Sequence, residues 1–98
     1  MSDKVYSIEE IRAILKPVFE NNNIKKAILF GSYAKGYADK NSDVDLVVES
    51  CLKGLKFIGL IEDIHEALDK DVDVYDVTHI KPGSVLESEI ASDGIVIF

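Results

Sequence analysis

Residues 30–48 read "FGSYAKGYADKNSDVDLVV". An apolar run, Ile24–Phe30, ends at Gly31-Ser32, and a second one, Val44–Val48, is entered through two acids, Asp43 and Asp45. A strand about to enter a core is a poor place for paired like charges. Both runs are short and β-compatible, so they read as strands separated by a turn and a short helix-compatible segment, "SYAKG".

The rest of the chain extends that pattern. "SIEEIRAILKPVFE" opens with a Ser7/Glu10 capping box and repeats Ile8, Ile11, Leu15 and Val18 at helical spacing. Pro17 should kink or end this helix late, before Asn21–Asn23. "LKFIGLIEDIHEALDK" (Leu55–Lys70) is a second amphipathic helix, weakened at Gly59 by up to about 1 kcal/mol relative to alanine. "DVDVYDV" (Asp71–Val77) is a third strand. Ser84 and Glu87 offer another capping box for a last helix, Asp93-Gly94 a stop, and "IVIF" (Ile95–Phe98) a terminal strand. The alternation argues an α/β layer structure and leaves open whether its sheet is parallel or mixed.

Composition limits the partners. The chain has 98 residues, 47% apolar and 30% charged, which suits one small globular domain over residues 1–98. Its net charge is −7, with 18 acidic against 11 basic residues and Arg12 as the single arginine. Such a chain repels a phosphate backbone, so long DNA or RNA is not an expected ligand. A mononucleotide carried with Mg²⁺ stays compatible, because the cation reverses the local charge. Cys51 is the single cysteine and forms no internal disulfide; it reads as a small, partly buried residue. "MSDKVYSIEE" lacks an apolar leader, and no apolar run approaches spanning length, so the expectation is a cytoplasmic protein without a membrane partner.

The acids carry the chemistry. Side chains two apart on a strand share a side, with Cα atoms roughly 6–7 Å apart. Two carboxylates about 5 Å apart repel by about 3 kcal/mol at an effective dielectric near 20. A divalent ion reverses that sign, and oxygen ligands suit Mg²⁺ or Mn²⁺. The competing reading is a solvated strand end, with Ser42 and Asp43 making the turn. Asp73 lies on the third strand, on the face of Asp71 and Tyr75. If the second and third strands are neighbours, it stands beside Asp43 and Asp45, and three carboxylates match a two-metal site for phosphoryl-group chemistry. Asp73 can also take a proton from an attacking hydroxyl; otherwise it is an exposed residue of an edge strand. Asp71 and Asp76 read as surface residues or turn formers. Gly31 and Ser32 expose backbone N–H groups and a hydroxyl suited to a phosphate, or else simply form a turn.

"GSYAKGYADKNSDVD" fits Gly-Ser, ten residues, Asp-x-Asp, and "VDV" at 72–74 fits a third-carboxylate strand. Together they resemble the DNA polymerase β-like nucleotidyltransferase superfamily across Ile24–Val77. The short chain, without room for further domains, resembles its minimal nucleotidyltransferase (MNT) branch, the antitoxin half of HEPN–MNT toxin–antitoxin pairs. The resemblance implies a mixed sheet flanked by helices, with ATP and two Mg²⁺ ions at its edge. It implies that Gly31 and Ser32 hold the β- and γ-phosphates, Asp43 and Asp45 the metals, and Asp73 the catalytic metal and attacking hydroxyl. The implied acceptor is a tyrosine of a partner HEPN ribonuclease, silenced by AMP. Position 35 departs from the pattern: Lys35 stands where many relatives carry Arg, offering a phosphate a charge without a bidentate fork, or being a solvated loop lysine.

Two other readings compete: a module that neutralises a toxin by covering it, and a transferase for a small molecule whose pocket a homo- or hetero-oligomer completes. His65 and His79 lack metal-ligand spacing and read as structural or solvated. Tyr33, Tyr37 and Tyr75 read as packing residues, with Tyr33 and Tyr37 the two placed to touch a base.

Overall fold

The computed structural model describes residues 4–98; Met1–Asp3, the start of the segment read above for a leader, lie outside the described residues. Helix α1 spans Ile8–Asn21. Its start is the expected capping box: the Glu10 N–H donates to Ser7 Oγ at 3.0 Å, and the Ser7 N–H donates to the Glu10 carboxylate at 3.0 Å. Pro17 does not stop it. Pro17 and Ala13, whose carbonyl loses its helical donor, both lie on the exposed side, where water serves instead.

Strand β1 (Lys26–Phe30) pairs antiparallel with β2 (Val44–Glu49), and β2 pairs parallel with β3 (Val72–Asp76). A short β4 (Ile95–Val96) pairs antiparallel with the other edge of β1. The sheet order is β3-β2-β1-β4, so the sheet is mixed. Between β1 and β2 lies α2 (Gly31–Lys35), between β2 and β3 lies α3 (Leu55–Leu68), and α4 (Val85–Asp93) precedes β4.

Period-2 alternation divides the sheet into two faces. Ala27, Leu29, Val44, Leu46 and Val48 point toward α1 and α3 and close a core with Ile11, Leu15, Phe19, Leu60, Ile64 and Leu68. At about 25 cal/mol per Å² of apolar surface, this layer is the main source of stability. Asp45, Val47, Asp73 and Tyr75 occupy the other face, toward α4. There Ile28 and Val47 meet Ile80 and Ile90 around a cavity of about 270 Å³.

Several edges differ from expectation. β1 starts at Lys26 because Ile24 belongs to the turn out of α1, its N–H bonded to the Phe19 carbonyl at 3.0 Å. α3 ends at Leu68, since Asp69 takes a left-handed cap (φ 52°). Only half of the second capping box forms: the Glu87 N–H donates to Ser84 Oγ, but the Glu87 carboxylate accepts from Gly83.

Three residues are placed otherwise than expected. Cys51 is exposed, because it sits in a left-handed turn (φ 59°) just beyond β2. Tyr37 is 66% exposed on the loop after α2 and is no packing residue. Asp76 is a turn former but not a surface residue: it is 4% exposed and accepts hydrogen bonds from Ser50 and Thr78. Burial alone would push its carboxyl up, but those hydrogen bonds outweigh it and hold the pKa down at about 2.

Candidate active site

The site is assembled where β1 turns into α2. Gly31 has φ +73°, which glycine adopts without strain. A Cβ there would lie 2.2 Å from Asp45 Oδ2, so the missing side chain is what lets the backbone approach the carboxylate. Ser32 is half-buried in the same turn, and its carbonyl accepts the N–H groups of Gly36 and Tyr37. Gly36 (φ +87°) then ends α2.

Asp45 stands between two strands. In register it lies opposite Phe30 of β1 and Asp73 of β3. The parallel pairing of β2 with β3 therefore brings Asp73 to Asp45, as the expected neighbour relation requires. Asp45 is half-buried and its pKa is pushed up to about 6. Burial is the largest cause, followed by the charge of Asp73 and a hydrogen bond shared with it, then the charges of Asp43 and Glu89. Burial first and the surrounding negative charge second thus make the ionised form of Asp45 costlier than that of a free aspartate.

Asp43 and Asp73 are exposed beside Asp45. Among the described residues, no three His, Cys, Asp or Glu side chains stand close enough together to hold a metal ion. The close pair is Asp45 with Asp73, and Asp43 contributes charge from the strand entry. An oxygen-only donor set whose members repel one another suits a hard divalent cation, which would replace the proton on Asp45.

Lys35 lies at the end of α2, with Nζ 3.5 Å from the Asp93 carboxylate and 6.0 Å from the Tyr37 ring centre. Tyr37 first and Asp93 second raise its pKa. The pair links α2 to the last turn of α4, so Lys35 is turned toward α4. Tyr33 is buried, and its hydroxyl has no satisfying partner among the described residues.

Three neighbours were not singled out as site residues from sequence. Glu89 acts on Asp45 from α4, a short helix without a strong apolar stripe, so nothing in its spacing announces which face covers the sheet. His65 and Glu62 of α3 line a groove of about 400 Å³ together with Asp43, Asp71 and Asp73. His65 becomes part of the site's border only because α3 packs beside β3.

The sequence profile of the family described as Polymerase beta, Nucleotidyltransferase matches residues 10–98. The chain belongs to this nucleotidyltransferase family. It is 36% identical over 83 residues to the protein adenylyltransferase MntA of Thermococcus cleftensis, covering 79% of this chain and 84% of that one. A chain of Methanocaldococcus jannaschii is 30% identical over 92 residues, covering 91% and 96% respectively. Among solved structures, a toxin–antitoxin with AMP-PNP superposes with a TM-score of 0.76 at 26% identity, over 89% of this chain and 72% of that one. The MNT antitoxin complexed with a tri-AMPylated HEPN toxin of Shewanella oneidensis shares the fold, with a TM-score of 0.70 at 22% identity, over 93% and 71%. The nucleotidyltransferase fold is therefore the fold of this chain. Among the described residues no helix is long and apolar enough to cross a membrane.

Proposed function

We propose that this chain is the antitoxin of a HEPN–MNT pair and transfers AMP from ATP to a hydroxyl, that of a tyrosine, on its partner HEPN toxin. The observation that carries the reading is the junction at Gly31. There a glycine turn beside a serine hydroxyl approaches Asp45, and Asp45 stands in register with Asp73. Groups suited to a phosphate and charge-bearing acids thus meet where the turn after β1 approaches the start of β2, beside β3. The similarity to the protein adenylyltransferase MntA supports a protein as the acceptor.

Gly31 and Ser32 hold the β- and γ-phosphates, with Lys35 released from Asp93 to face the triphosphate. The acceptor oxygen attacks the α-phosphorus, the bond from that phosphorus to the bridging oxygen breaks, and pyrophosphate leaves. Asp73 takes the hydroxyl proton. Asp45 and Asp73, the close pair, are the residues that would hold a first Mg²⁺ ion, and Asp43 with Asp45 a second once Asp43 is drawn in from the strand entry, with Mn²⁺ as a substitute. Cations held by these acids would supply positive charge where negative charge develops on the α-phosphate and the leaving group. The groove lined by Asp43, Asp71 and Asp73 gives the acceptor an approach to the same acids.

The chain's acidic balance favours one second reading, a module that covers a basic toxin face without chemistry. Incubation with the toxin and an ATP analogue whose α–β bridge cannot be cleaved separates the two. Covering alone restores protection with the analogue, whereas AMP transfer requires ATP.

A further inference from the structure

Among the described residues, three polar or charged side chains are buried: Ser50, Asp76 and Lys70. Ser50 and Asp76 satisfy one another at the far end of β3. Lys70 is different. It is 2% exposed, and lysines are rarely buried so completely, because the ammonium loses its hydration. An apolar side chain would fill that space at less cost, so the amine is placed there for what it holds.

One of its partners is the Lys40 carbonyl, which accepts from Lys70 Nζ at 3.1 Å. Lys40 belongs to the Asp39–Ser42 turn, a small unit with its own hydrogen bonds. The Ser42 N–H donates to the Asp39 carbonyl at 3.0 Å, and the Asn41 N–H donates to Asp39 Oδ1 at 2.8 Å. One residue past Lys70, the Asp71 carbonyl accepts the Val44 N–H at 3.1 Å. The segment 40–44 is therefore fastened to residues 70–71 at both ends, and Asp43 lies between the fasteners. Among the described residues the Asp43 side chain makes no hydrogen bond, so its place is set by its backbone.

We propose that Lys70 is a positioning residue: its buried ammonium grips the Asp39–Ser42 turn through the Lys40 carbonyl and fixes the backbone that presents Asp43 to the Asp45–Asp73 pair. Its consequence for metal binding rests on the reading of Asp43 as a metal ligand, whereas its consequence for the turn does not. The register of β2 against β3 and the placement of Asp43 then share one support, since Lys70 leads directly into β3.

Hydrogen exchange on the full chain tests this. Lys70→Met keeps the bulk and removes the donor. It should speed exchange at the Asn41, Ser42 and Val44 amides by about tenfold or more while Leu29 in β1 keeps its native rate. Lys70→Arg, with a donor of similar reach, should restore the native pattern. Titration with Mn²⁺ alone, followed by the signal of the free ion, should show several-fold weaker binding to Lys70→Met and native binding to Lys70→Arg. If Lys70→Met does not fold, Lys70→Gln, polar but shorter, carries the same comparison. Native exchange at the three amides in Lys70→Met, or in Lys70→Gln where it stands in, overturns the proposal, as does acceleration spread equally over Leu29 and the turn. A native chain that binds no Mn²⁺ overturns the metal assignment instead, and the exchange result still decides the role of Lys70.

Discussion

The glycines at the two ends of α2 separate the cost of backbone strain from the cost of disturbing the site. Gly31 and Gly36 both have positive φ, +73° and +87°. A Cβ at either position incurs a left-handed penalty of about 1–2 kcal/mol. At Gly36 that is the whole effect, because a Cβ there meets nothing within 4 Å. At Gly31 the Cβ would sit 2.2 Å from Asp45 Oδ2, far inside contact distance. The carboxylate would have to move by about 1 Å, a displacement that at a reacting centre costs about 100-fold in rate. Gly36→Ala should therefore lose about 1–2 kcal/mol in urea unfolding and Gly31→Ala at least as much, while only Gly31→Ala loses about two orders of magnitude in ATP-dependent AMP transfer. Full transfer by Gly31→Ala would refute the reasoning. So would an equal loss in Gly36→Ala, because strain and not the approach to Asp45 would then explain both.

Other substitutions probe the fold and the site separately. Gly59→Ala should stabilise the chain by about 0.5–1 kcal/mol, since a Cβ there meets nothing within 4 Å and α3 gains a better helix former; thermal unfolding reads it. Asp76→Asn should cost roughly 1–2 kcal/mol at pH 7, after discount for nearby water. The Asp76 pKa is depressed on folding to about 2, so this stability is present above the unfolded carboxylate range and is lost as pH falls through it toward 2. Denaturation curves of both proteins should accordingly converge near pH 2 and separate above pH 4, roughly the unfolded Asp value. Lys35→Ala should raise the KM for ATP a few-fold and barely move the melting temperature, because its ion pair with Asp93 is long, at 3.5 Å, and partly open to solvent.

Much of the fold was legible because its signals are local. The Ser7/Glu10 box, the two helical stripes and the apolar runs around Gly31 and Asp45 each lie within one element. The spacing from Gly-Ser to Asp-x-Asp was equally readable, since turn, short helix and strand entry follow one another along the chain. What stayed open was pairing. Only the parallel register of β2 with β3 puts Asp73 against Asp45, and strand order alone does not dictate it. Glu89 and His65 join the site through the packing of α4 and α3, which no short-range pattern encodes. Asp76 and Lys70 were hidden for a related reason: a charged residue next to a strand reads as surface until the partners that satisfy it, 26 and 30 residues away, are in place.

The most direct test of the account is the intact mass of the partner toxin after incubation with this chain, ATP and Mg²⁺. The toxin should gain one or more AMP masses with the native chain and none with the Asp43→Asn/Asp45→Asn variant, provided that variant still binds the toxin. An unmodified toxin with the native chain, or a modified one with the double variant, would contradict it.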